Sequence, residues 1–88
     1  MKVKGNYMLR QVAKNWVVLP MGQSTLDLNG MLTLNESGAL LWKTLEQGGS
    51  RDAMVAALTG EYDVSAERAA ADVERFLNKL ADAGIEIE

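Results

Sequence analysis

The sequence predicts an α+β fold, a small winged-helix-like domain in which a three-stranded antiparallel sheet is followed by three helices. Three observations carry that expectation. Residues 7 to 34 hold β-rich runs and a two-residue alternation, the apolar period turns helical at Asn35, and Asn35, Ser50 and Ser65 each stand directly ahead of an amphipathic run as N-caps do. The length of 88 residues suits a single domain over 1–88, able to bury about 60 to 65% of its unfolded surface around one modest core.

The strands come first. Tyr7 to Val12 is a mixed apolar and polar run, Ala13-Lys14-Asn15 reads as a turn, and Trp16-Val17-Val18-Leu19 is a β-rich run stopped by Pro20, so the two runs form a hairpin. After a Gly22-Gln23-Ser24 loop, Leu26, Leu28, Leu32 and Leu34 share one parity while Asp27, Asn29, Met31 and Thr33 share the other. That is the alternation of a strand buried on one face. Asn29-Gly30 interrupts it as a bulge or a tight hairpin turn, which leaves Met31 to Leu34 as its firm part.

The first helix starts at about Glu36, whose carboxylate suits the positive end of the helix dipole, and runs to about Gln47, where Gly48-Gly49 ends it. Gly38 lies in its first turn. Counting on by three, four and seven reaches Leu41, Trp42 and Leu45, so the glycine is expected on the buried face, where it lets the helix close on the sheet or on another helix. Ser50 caps the second helix, with Val55, Leu58 and Tyr62 on its inner face. Gly60 weakens that helix by about 1 kcal/mol relative to alanine. Ser65 caps the third, whose stripe is Ala69, Val73, Phe76, Leu77 and Leu80 and whose end is Gly84; Ile85-Glu86-Ile87 is a tail that could add a strand.

Composition removes several function classes. With no cysteine and no histidine, disulfides, thiolate or imidazole nucleophiles and the usual zinc spacings are excluded. No apolar run approaches the ~20 residues of a membrane span and no signal peptide is visible, so the expected location is the cytoplasm, with no membrane partner. Carboxylate pairs such as Glu61 with Asp63, or Asp72 with Glu74, fall in polar contexts with no sign of an apolar cleft, and no enzyme, metal or cofactor is expected. Gly48-Gly49-Ser50 reads as a helix end, a linker and a cap rather than a phosphate loop.

Charge is uneven along the chain. Residues 1–34 hold Lys2, Lys4, Arg10 and Lys14 against Asp27, a net of +3, while residues 35–88 carry −6, which together give the overall −3. The basic front half is suited to something acidic. A winged-helix DNA-binding regulator is the alternative reading, but the third helix opens Ala66-Glu67-Arg68-Ala69-Ala70-Ala71, and residues 65–83 hold four acids against three bases. An acidic duplex is repelled by such a helix, and nucleic acid is not the expected partner. An open sheet edge, in contrast, can be covered by an extended peptide joining as a further strand.

The segments LNESGALLW, EYDVS and DVERFLNKLADAGI, in this order and spacing, resemble the PqqD-like family, named after a pyrroloquinoline quinone biosynthesis protein and also known as the RiPP recognition element. The resemblance spans roughly Tyr7 to Ile85. It implies a winged-helix-like domain that binds the leader segment of a ribosomally made precursor peptide and presents the core segment to a modifying enzyme, such as a radical-SAM enzyme or a leader peptidase. It further implies that the leader pairs with the third strand, in a groove against the third helix. With no fused enzyme domain, the chain is expected to be a standalone adaptor.

Carried onto this sequence, the strand side of the groove is Leu28 to Leu34, with Leu28, Met31, Leu32, Thr33 and Leu34 as its contacts. On the helix side, at about 100° per residue, one flank of the stripe is Arg68, Asp72, Arg75 and Lys79 and the other is Ala66, Ala70 and Ala81. The charged flank, together with Phe76, is the expected groove wall, because Asp72 and Phe76 fall within the part that matches the family motif.

Overall fold

A computed structural model describes residues 1–21 and 32–88. Strand β1 (Tyr7–Val12) pairs antiparallel with β2 (Asn15–Pro20), and the register from Tyr7↔Pro20 to Val12↔Asn15 leaves Ala13-Lys14 as the whole connection. Asn15 therefore belongs to the strand and not to the turn. Ala13 sits at φ +56°, the left-handed conformation a two-residue hairpin demands. Strand β3 (Leu32–Leu34) pairs antiparallel with β2 through Trp16↔Leu34, Val17↔Thr33 and Val18↔Leu32, giving the order β1-β2-β3. Leu32 and Leu34 are buried and Thr33 between them is exposed, as alternation requires. The expected loop at Gly22-Gln23-Ser24, the alternation from Leu26 to Met31 and the Asn29-Gly30 interruption lie outside the described residues.

Each expected cap is present. The Asn35 Oδ1 accepts the Gly38 N–H at 2.8 Å ahead of α1 (Glu36–Glu46), the Ser50 hydroxyl accepts the Ala53 N–H at 3.1 Å ahead of α2 (Arg51–Glu61), and the Ser65 hydroxyl accepts the Arg68 N–H at 3.1 Å ahead of α3 (Ala66–Asp82). Each bond satisfies one of the orphan donors of a first turn. Gly48 and Gly84, at φ +81° and +82°, close α1 and α3. Gly60 lies exposed in the last turn of α2.

The helices cover one face of the sheet. Val18, Leu32 and Leu34 meet Leu41, Trp42 and Leu45 of α1, Met54 and Leu58 of α2, and Val73, Phe76, Leu77 and Leu80 of α3, with Ile85 closing the far side. Trp42 is fully enclosed and stands edge-on to Tyr7, ring centroids 5.9 Å apart. The inner face of α2 is turned one residue from the expected one: Met54 and Leu58, four apart, are buried, Val55 is half-buried, and Tyr62 lies just past the helix, where its N–H reaches the Leu58 carbonyl. Among the described residues the tail after Gly84 does not extend the sheet. It pairs instead with the start of the chain, in an antiparallel bridge between Val3 and Ile87 in which Lys4 N–H donates to the Glu86 carbonyl and Glu88 N–H to that of Lys2, both at 2.8 Å.

Candidate functional site

Along α3 the sequence places Asp72, Arg75, Phe76 and Lys79 on one face over two successive turns. Phe76 is buried, and the three polar residues stand around it at the surface. The fold sets that face opposite the end of β3 and the first turn of α1, and between them runs a groove of about 300 Å³. Its apolar floor is Leu34, Leu41, Leu58 and Phe76, and its rim is Asp72, Arg75 and Lys79 on one side and Asn35, Ser37 and Gly38 on the other. Gly38 belongs to this wall, and its neighbours leave little room for a side chain: a β-carbon there stands 3.2 Å from both the Leu34 Cβ and the Asn35 Oδ1.

Polar chemistry on the rim is simple. The Arg75 guanidinium donates to the Asp72 carboxylate one turn before it, and both remain open to water. Asp72 thus offsets Arg75, and Lys79 makes no ion pair among the described residues. The Ser37 hydroxyl is turned to Asn35 Oδ1 at 3.0 Å. Just past the end of α2, the Tyr62 phenol is held above its ordinary value, by burial first and then by the carboxylates of Glu36 and Glu61. Among the described residues no cluster of ligands could hold a metal ion, and no helix is long and apolar enough to cross a membrane.

Beyond this groove β3 is an edge strand. Among the described residues only β2 pairs with it, so alternate backbone N–H and C=O groups of Leu32–Leu34 point outward.

Of the residues expected at the site, Leu34, Asp72, Arg75, Phe76 and Lys79 come together in the groove, and the charged flank of α3, not the alanine flank, lines it. Leu32 is packed in the core. Thr33 is exposed on the opposite face of the sheet from Leu34, which leaves its backbone as the part that can face an added strand. Arg68 lies in the first turn of α3, outside the groove lining. Leu28 and Met31 lie outside the described residues. The α1 wall and Leu58 lie outside the expected set, and the close packing implied by Gly38 is the sequence signal for that wall.

A family model described as Coenzyme PQQ synthesis protein D (PqqD) matches residues 15–85. Among solved structures, TbiB1 in complex with the TbiA(beta) leader peptide superposes with a TM-score of 0.77 at 25% sequence identity, over 100% of this chain and 98% of that one. No curated protein sequence matches the chain.

Proposed function

Since the chain belongs to the PqqD family, we propose that it is a peptide-binding adaptor: it takes the leader segment of a ribosomally made precursor as an additional strand on β3 and delivers the peptide to a modifying enzyme. The observation that carries this reading is the meeting of an open strand edge with an apolar groove at the same corner, Leu34 belonging to both. Strand addition supplies backbone hydrogen bonds without regard to sequence, and the groove supplies the selection. Every second side chain of an added strand turns inward, where Leu41, Leu58 and Phe76 offer an apolar seat and Lys79 a cation free to meet an acidic residue. The likeness to TbiB1 with its leader peptide supports the assignment. Nothing in this action needs a covalent step, so binding, orientation and release are the whole of it.

Calorimetric titration of the full chain with the leader half and, separately, the core half of a ribosomally made precursor peptide tests the reading. The leader half binds and the core half does not. Equal binding of both halves, or of neither, overturns it.

A further inference from the structure

The groove and the core account for one face of the sheet. Its register sets Met8 opposite Leu19, Arg10 opposite Val17, and Val17 opposite Thr33, and these side chains share the other face. That face is apolar and open: Met8 is 40% and Val12 54% exposed, with Val17 and Leu19 half-buried between them. Arg10 stands exposed in its middle and Lys14 at the hairpin turn, and neither has a carboxylate partner among the described residues. Residues 1–21 contain four basic side chains and no acidic one. An exposed apolar sheet face with unpaired cations selects a surface of apolar side chains ringed by carboxylates.

We infer that this outer face docks the enzyme to which the peptide is delivered, through carboxylates of that enzyme around Arg10 and apolar contact with Met8, Val12 and Leu19; the inference rests on the peptide-binding reading above. A second copy is a poor occupant, since two such faces stacked together set Arg10 and Lys14 against the same cations. The peptide is not the occupant either, but it extends the surface. A strand added beside β3 lies next to Thr33 and turns its alternate side chains outward, so the loaded domain presents one strand more to the enzyme than the empty one. An enzyme docking here binds the loaded domain more tightly, because part of its contact is the substrate itself.

The test uses the full chain, a leader-bearing precursor that it binds and the purified enzyme that modifies that precursor. Arg10→Glu leaves the leader Kd unchanged and weakens the enzyme's affinity for the loaded domain by about three- to tenfold, with a flatter salt dependence than wild type. Val12→Asp, on the same face, acts in the same direction, and unchanged melting of both variants shows that they remain folded. A photo-crosslinking p-benzoylphenylalanine at Val12 joins the enzyme through an Asp- or Glu-containing peptide, whereas one at Asn78, exposed on α3, does not. Crosslinks from Val12 to a second copy, crosslinks to the enzyme from Asn78 in place of Val12, or enzyme affinity indifferent to Arg10→Glu overturn the inference. A wild-type chain that fails to bind the leader overturns the earlier reading instead, and the leader titration shows this before any enzyme is added.

Discussion

Leu34 and Gly38 stand so close that a β-carbon on Gly38 meets the Leu34 Cβ at 3.2 Å and its Cδ2 at 3.3 Å. One residue ends the strand and the other lies in the first turn of the next helix, so the chain passes from strand to helix through a contact that leaves little room for a side chain. Gly38→Leu therefore overpacks a site whose neighbours are themselves fixed, Leu34 by the core and Asn35 by its capping bond. A loss of about 1 to 3 kcal/mol is expected. Urea unfolding reads it as a lower midpoint, and an unchanged midpoint means that α1 shifts outward to accept the side chain.

If a leader joins β3, outward-pointing amides among Leu32–Leu34 gain partners and exchange their hydrogens more slowly in the complex. Protection confined to α1 and α2 places the peptide elsewhere.

Arg75 and Lys79 border the groove without forming its floor, so charge reversal at both positions weakens an acidic leader without unfolding the domain. At exposed positions the loss is about 0.2 to 1 kcal/mol per pair, and the variant's affinity responds less to salt. Titration at low and high salt checks both parts, and an affinity equal to wild type at low salt removes these residues from the site.

Duplex DNA is not retained. The exposed surface of α3 carries Glu67, Glu74 and Asp82 as well as its cations, and phosphate binding requires a basic stripe there. In a gel-shift assay at low salt, sequence-selective retention of genomic fragments at submicromolar protein is the result that favours a regulator.

Ala13 holds a conformation that alanine adopts at a cost, at φ +56°. Ala13→Gly relieves it and, net of glycine's greater freedom in the unfolded chain, stabilises the domain by about 0.5 kcal/mol. Thermal melting shows this as a rise of a few degrees.

Alkaline stability depends on Tyr62. Its folded value is raised, so the fold favours the neutral phenol; that contribution is complete below the unfolded value of about 10 and fades as pH climbs through the folded one. Urea midpoints followed upward from pH 8 fall more steeply above about pH 10 for wild type than for Tyr62→Phe. Parallel curves show that burial and the two carboxylates do not act on this phenol.

Element order was legible because its signals are local: a cap, a period and a terminating glycine lie within a few residues of one another, and Asn35, Ser50, Ser65 and Gly84 all act as read. The inner face of α2 was not, since alanines at 53, 56 and 57 leave a stripe through Met54 and one through Val55 almost equivalent. Packing against α1 and α3 makes that choice. Helical spacing sorted α3 into a charged and an alanine flank, and the family resemblance, through Asp72 and Phe76, pointed to the charged one as the wall of the groove. Its α1 wall depends on how closely α1 approaches α3, a distance no local pattern encodes, and the pairing of Val3 with Ile87 joins opposite ends of the sequence. Thr33 shows the reverse, since its parity already set it opposite Leu34.

That pairing also orders events during synthesis. The hairpin and α1 use neighbouring segments and can form while the chain is still growing, but Lys2 and Lys4 find their backbone partners only when residues 86–88 have left the ribosome. Until then the backbone of Lys2 and Lys4 lacks those partners. The clasp thus closes after the hairpin and the first helix, and it ties the segment ahead of the sheet to the one behind the last helix.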